Sequence, residues 1–212
     1  GLMSGFVAVV STIGYAAPRW QVEGSIFTGR EPDEARWNIE KPRLDSWSVR
    51  ASWSPTPAWV VQASHGFLKQ PETLHAEQDE RRTTASVQYA DHRGGLSAML
   101  AFSAKNRDPG PTMTAWLGEA NWAVSDYDNL FARIENVRND ELFSDHGDPF
   151  HDRAFRVTKL QAGYARRIPL SDSFHLALGG SIAAFAKPDA LDAAYGRKPV
   201  GATVFARFSI GR

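Results

Sequence analysis

The closing stretch, Pro199-Val-Gly-Ala-Thr-Val-Phe-Ala-Arg-Phe-Ser-Ile-Gly-Arg212, decides the fold. One set of alternating positions, Val200, Ala202, Val204, Ala206, Phe208 and Ile210, is wholly apolar. The other set, Gly201, Thr203, Phe205, Arg207 and Ser209, is mostly small or polar. Neighbouring side chains of a strand point to opposite faces, so this stretch has one apolar and one polar face. About eleven residues at roughly 3.3 Å each, tilted, cross a bilayer's hydrocarbon core. The apolar side would meet lipid and the polar side a lumen.

The same alternation recurs upstream. Trp20 to Thr28 sets Trp20, Val22, Gly24 and Ile26 against Gln21, Glu23 and Ser25. Ser46 to Ser54, Trp59 to Leu68 and Arg82 to Ala90 read the same way, and Leu96 and Trp116 open two more such runs. Leu130-Ala132-Ile134, Leu160-Ala162-Tyr164 and Phe174 to Ile182 follow. Ser4 to Tyr15 reads as the first strand, although Met3 to Ala17 also has the small, apolar character of a secretory segment without its basic start. The count is eleven candidate strands, taken as one domain over residues 1–212.

The connections alternate in length. Ala16-Ala17-Pro18, Pro55-Thr56-Pro57, Asp91 to Gly95, Ser125 to Asp128 and Pro169 to Asp172 are short. Gly29 to Arg43, Lys69 to Glu80, Lys105 to Pro111, Asn136 to Arg153 and Lys187 to Lys198 are long. A soluble sandwich gives no reason for this alternation. An all-β, antiparallel transmembrane β-barrel does, with short turns on one side of the membrane and long loops on the other. The first and eleventh strands would then run parallel to each other, so closure predicts twelve or more strands in the intact protein.

Composition agrees. The 212 residues carry 24 basic and 24 acidic side chains, which argues against a nucleic-acid partner. There is no cysteine, hence no disulfide and no thiolate chemistry. No run of about twenty apolar residues offers a membrane-spanning helix, but barrel strands escape that test.

Aromatic residues mark the ends of the strands. Trp20, Trp53, Trp59, Trp122, Phe174 and Phe208 adjoin short turns or the last residues, and Trp47 and Trp116 adjoin long loops. Amphipathic rings favour the two membrane interfaces, so these eight are assigned to girdles. The competing reading is a soluble barrel with its aromatic side chains inside. The polar face carries Glu23, Arg50, Gln62, Lys105, Glu119, Arg133, Glu135, Lys159, Gln161 and Arg207. Such groups are costly in lipid. They are assigned to the lumen, where they either line water or pair across it.

Three sets of residues support a resemblance. They are Gly29 to Glu34 with Arg36 to Ile39, Arg82 to Ser86, and Ala190 to Asp192 with Ala194 to Gly196. They resemble segments of a porin-like group of uncharacterised proteobacterial outer-membrane β-barrel proteins, and the resemblance extends over most of the chain. In that group the chain extends upstream of the point matching Gly1, which implies a C-terminal fragment. The group implies location in the outer membrane and lipid as partner, with no catalytic residues to carry over. The closing Phe208-Ser209-Ile210-Gly211-Arg212 departs from the aromatic last residue usual in barrels.

Other chemistry is thinly supported. Asp145, His146, Asp148, His151 and Asp152 share a loop and are the best metal candidates, but lack the full spacing of a calcium loop. A solvated loop is the plainer reading, and no cofactor is expected. His65 beside Ser64 is the nearest approach to a hydrolytic pair, and no nucleophile motif surrounds it. Gly29 to Glu34 would cap the barrel or fold inward as a constriction. The expectation is a porin-like channel for small solutes. The alternatives are a closed structural or adhesion barrel whose loops bind a partner and, more weakly, a lipid-modifying enzyme.

Overall fold

Val204 lies opposite Gly180 and Thr203 opposite Ser181 in an antiparallel ladder, so the alternation of the closing stretch is the alternation of a real strand. The structure is a computed structural model that describes residues 10–30, 43–72, 77–140, 142–143, 145, 147–171 and 173–210. The strands are β1 (Val10–Ala17), β2 (Trp20–Phe27), β3 (Ser46–Thr56), β4 (Trp59–Leu68), β5 (Asp79–Ala90) and β6 (Leu96–Asp108). Then come β7 (Thr112–Ala123), β8 (Asp128–Asn139), β9 (Phe155–Pro169), β10 (Phe174–Ala186) and β11 (Val200–Ile210). All eleven form a single sheet in sequence order, with β1 and β11 at its ends.

The sheet divides into two compact units, residues 1–86 with 102–114, and residues 87–101 with 115–212. In the first unit β1 pairs β2, β2 pairs β3 and β3 pairs β4. In the second, β7 through β11 pair in succession, each antiparallel. Registers bring like faces together. Trp20 lies opposite Trp53 and Glu23 opposite Arg50. Glu119 lies opposite Arg133 and Ile134 opposite Leu160.

Exposure runs opposite to that of a soluble sandwich. Ile13, Ile182, Val200 and Val204 are among the most exposed side chains, Val204 at 89%. The large apolar side chains buried among the described residues are Met113, Phe155 and Leu191. A soluble reading with aromatics inside requires buried tryptophans. Trp20, Trp47, Trp53, Trp59, Trp116 and Trp122 are all exposed. So large an apolar surface has no stable home in water.

Several boundaries differ from the sequence expectation. β1 is Val10–Ala17, so Ala16 and Ala17 are strand and the turn is Pro18-Arg19; the proposed start from Ser4 lies outside the described residues. Pro55 was expected to stop β3, yet the strand continues to Thr56 through a register shift between Trp53 and Thr56. At such an irregularity no ladder donor is required of proline. Lys105 to Asp108 is strand rather than loop, and β5 begins at Asp79. Lys105 and Arg107 find carboxylate partners across the polar face, which lets the ladder continue.

The long loops of the second unit have a core of their own. Phe143 packs on Phe150, Phe155 and Tyr195, with centroids 5.4–6.3 Å apart. Arg153 lies over Phe150 and Phe155 at 5.5 and 5.4 Å. The expected loop from Lys187 holds a 3-10 turn, Asp189–Leu191, and one helical turn, α1 (Asp192–Tyr195). Lys187 Nζ bonds Asp192 Oδ1 at 2.5 Å, and Leu191 is 1% exposed.

Candidate functional site

The polar face of the first unit begins with an open pair. Arg50 Nε donates to Glu23 Oε2 at 2.6 Å across β2 and β3. Gln62 lies opposite Ser52, and Ser64 bonds Thr84 at 2.6 Å. These contacts link the even positions of β4 and β5 on one side of the sheet.

Toward the loop end the same face closes over a dense charge cluster. Glu80, 1% exposed, receives Arg82 Nε and Nη2 at 2.8 and 2.6 Å. Lys105 Nζ lies 3.2 Å from Glu80 Oε1, and Arg107 Nε 3.5 Å from the same oxygen. Glu72, from the loop after β4, takes Lys105 Nζ at 2.8 Å and Arg107 Nη2 at 3.1 and 3.3 Å. Burial alone would raise the Glu72 pKa, but the hydrogen bond from Lys105 and the charges of Lys105 and Arg107 prevail and hold it at about 2. The cluster straps part of the loop to the wall. Lys105 is among the residues the sequence assigns to the polar face; Glu72 and Glu80 fall in the stretch read as loop from Lys69 to Glu80, Arg107 in the one read as loop from Lys105 to Pro111, and Arg82 opens a strand without being assigned to that face.

The polar face of the second unit is a shallower ladder. Arg133 Nη1 bonds Glu119 Oε2 at 3.3 Å, and its Nε pairs with Glu135. Lys159 stands opposite Glu135 on one side and Phe185 on the other. Gln161 Nε2 donates to Ser181 Oγ at 2.9 Å, and Arg207 lies opposite Ala177. Two rings lie on the same face over glycines. A Cβ on Gly163 would come within 2.2 Å of the Phe131 ring, and one on Gly179 within 2.4 Å of the Phe205 ring. The two rings are 6.2 Å apart. Glycine is required there because the rings occupy the space of its missing side chain.

Both units carry the same excess of positive charge. Among the described strand residues, the polar face of the first has four cations, Arg50, Arg82, Lys105 and Arg107, against Glu23 and Glu80. The second has four, Arg133, Lys159, Arg167 and Arg207, against Glu119 and Glu135.

The opposite face holds the eight aromatic residues assigned to girdles. Trp20, Trp47, Trp53, Trp59, Trp116, Trp122, Phe174 and Phe208 are exposed by 41–74%. Tyr15, Tyr127 and Tyr164 are also exposed and are not among those eight.

The minor candidates separate. Ser64 bonds Thr84, while His65 Nδ1 meets Thr83 Oγ1 at 2.9 Å and its ring packs against Trp47. Adjacent strand residues face opposite ways, so Ser64 and His65 cannot act on one substrate atom. Asp145 Oδ1 accepts from Gly147 N and Asp148 Oδ1 from Phe150 N, which turns both carboxylates onto the backbone. His151 Nδ1 contacts Phe143 O at 3.0 Å, and Nε2 lies 3.5 Å from Asp152. His146 lies outside the described residues, among which no three metal-ligating side chains gather. Of the Gly29 to Glu34 loop, Arg30 Nη2 bonds Gln70 Oε1 at 2.8 Å, and residues 31–42 lie outside the described set.

Comparison with solved structures gives the architecture its place. The chain is similar to an anion-selective porin from Comamonas acidovorans, with TM-score 0.59 and 16% identity over 93% of this chain. This is the porin fold. The chain spans 58% of that porin's length. It is also similar to the outer-membrane protein OmpT of Vibrio cholerae, with TM-score 0.54 and 10% identity over 94% of this chain and 64% of that one. A bacterial polysaccharide outer membrane secretin matches with TM-score 0.59 and 10% identity over 97% of this chain and 68% of that one. No family model and no curated protein matches the sequence.

Proposed function

We propose that this chain forms wall strands of a bacterial outer-membrane channel that passes small solutes passively and favours anions. The observation that carries the reading is the two-to-one excess of cations over carboxylates on the polar face of each unit, opposite a face of exposed tryptophan and aliphatic side chains. Rings of charged side chains set ion preference in pores, and basic ones favour anions. The fold shared with outer-membrane porins supports the location. No catalytic residue is assigned. A barrel of twelve or more strands is the reading that fits a sheet order with β1 and β11 as its end strands.

The test is planar-bilayer recording of the intact protein under a salt gradient. The expected result is ohmic steps with a reversal potential on the anion side, moved toward cations when Arg50, Arg133 and Arg207 are replaced by Glu. Silence from correctly inserted protein would overturn the channel reading. It would favour a closed barrel presenting its loops to a partner, for which the packed Phe143, Phe150, Phe155 and Tyr195 core is the supporting observation.

A further inference from the structure

Two phenyl rings stand on the polar face of β8 to β11, among side chains that are otherwise polar or small. Phe131 of β8 lies opposite Gly163 of β9, and Phe205 of β11 opposite Gly179 of β10. Each ring lies down across the next strand. The Phe131 Cζ is 2.2 Å from where a Cβ of Gly163 would stand, and the Phe205 Cζ is 2.4 Å from that of Gly179. The centroids are 6.2 Å apart and the planes meet at 48°. Covering the glycines accounts for one face of each ring and leaves the other turned away from the sheet. Phe205 is 37% exposed. An apolar ring face left in water is unfavourable, and cover by a flat apolar group removes that cost.

Charge is distributed unevenly along the strands on either side of the rings. Toward the long loops, Arg133 is neutralised by Glu119 and Glu135. Toward the short turns, Arg167 and Arg207 flank the small Ala177 in one row of the ladder, and both are exposed. Among the described residues neither of these two side chains has a hydrogen-bond or ion-pair partner. Phe205 and Arg207 stand two residues apart, about 7 Å along β11. One aromatic ring carrying one carboxylate has that reach.

The neutral polar groups beside the rings are satisfied within the wall. Asn129 Nδ2 donates to Asn121 Oδ1 at 2.6 Å, and Gln161 Nε2 to Ser181 Oγ at 2.9 Å. A sugar, which needs many neutral hydrogen-bond partners, would have to break these pairs. A flat acid needs only the ring faces and the guanidinium groups.

We propose that Phe131 and Phe205, with Arg167 and Arg207 at the turn end, form a binding subsite for a small aromatic carboxylate of the benzoate type. This rests on the channel reading above and names the class of anion that the lumen takes. The two tilted rings make a shallow corner. A third ring packs offset on one phenyl and edge-on to the other, at the separations that aromatic pairs prefer. The carboxylate then lies toward the turns, where planar guanidinium groups offer it paired N–H donors.

The probes are benzoate, acetate, benzyl alcohol and glucuronate. Each is titrated into the intact protein in neutral detergent and read by saturation-transfer NMR on the probe's own protons. Benzoate should give a saturable signal; acetate, which lacks the ring, and benzyl alcohol, which lacks the charge, should bind far more weakly. F131L/F205L keeps apolar bulk without the rings and should lose about fivefold in benzoate affinity. R167Q/R207Q should lose on the order of tenfold. K198Q, which removes a cation from the loop before β11, should bind as the parent does. Unchanged benzoate affinity in both double variants, or acetate binding as tightly as benzoate, overturns the subsite. Glucuronate binding more tightly than benzoate overturns the aromatic assignment. If F131L/F205L fails to fold, R167Q/R207Q carries the same test through exposed side chains. Planar-bilayer recording separates this from the channel reading. A silent bilayer with benzoate still bound sinks the channel and keeps the subsite, and ohmic steps without benzoate binding do the reverse.

Discussion

The two units make their polar faces from the same residue types and arrive at different physics. In the first, Glu80 is 1% exposed and Arg107 7%, and three cations converge on two carboxylates. In the second, Arg133 and Glu119 are 45% and 39% exposed at the side chain, and their bond is 3.3 Å long. A buried carboxylate depends on every partner, because removing one leaves charge that water cannot solvate. An exposed pair depends on almost none, because water takes over. The first cluster is thus a structural clasp that holds a loop segment, and the second is an open polar surface whose charges remain accessible to water.

The largest expected effect comes from breaking the clasp. Glu80→Gln should destabilise the protein by about 3–5 kcal/mol, since Arg82, Lys105 and Arg107 would then crowd one another with Glu72 alone to offset them. Glu119→Gln in the ladder should cost about 0–1 kcal/mol. Urea unfolding from lipid vesicles measures both. Equal losses would show that the burial contrast has no energetic meaning.

A second comparison checks that both regions lie on the side away from lipid. Val204 is 89% exposed on the apolar face of β11, and Thr203 is its neighbour on the polar face. Val204→Arg should cost about 2–4 kcal/mol near the bilayer midplane, and Thr203→Arg much less. The same refolding titration decides it, and similar penalties would reverse or erase the face assignment.

The second unit has its own tight spot, made of rings rather than charge. Gly179→Ala would set a methyl group 2.4 Å from the Phe205 ring and 2.7 Å from the Tyr164 carbonyl oxygen. Overpacking of this kind costs about 1–3 kcal/mol. Gly201→Ala, where nothing lies within 4 Å, should be close to neutral in stability. Thermal melting of the two variants separates a packed floor from incidental glycines.

Much of this was legible in the sequence. The period-two alternation from Trp20 onward located every strand, because one face must be apolar throughout if it meets lipid. The rings of Phe131 and Phe205 on the polar face were not assigned a role, since the glycines beneath them come from other strands and only register brings them together. The clasp was missed for a related reason. Asp79 and Glu80 close a charged run that reads as loop in one dimension, and Arg107 falls in another, yet both stretches are strand. The α1 turn was hidden because four residues, Asp192–Tyr195, are too few for helical periodicity to register.

The smallest expected effect is a response to acid. The ordinary carboxyl value for Glu72 is 4.5, and in the folded chain it stands at about 2. A carboxylate depressed by folding adds stability above its unfolded pKa and loses it as pH falls toward the folded one. Between pH 8 and pH 5 the Glu72 clasp should therefore contribute unchanged, and it should weaken only as pH falls from about 4.5 toward 2. Limited proteolysis in the loop between β4 and β5, run across that range with an acid-tolerant protease, should show protection until the lower window is reached. The Glu72→Gln variant should be cleaved more readily than the parent at pH 7 and lose the acid dependence. Release of the loop near pH 6 in the parent would mean that another group, and not Glu72, holds it to Lys105 and Arg107.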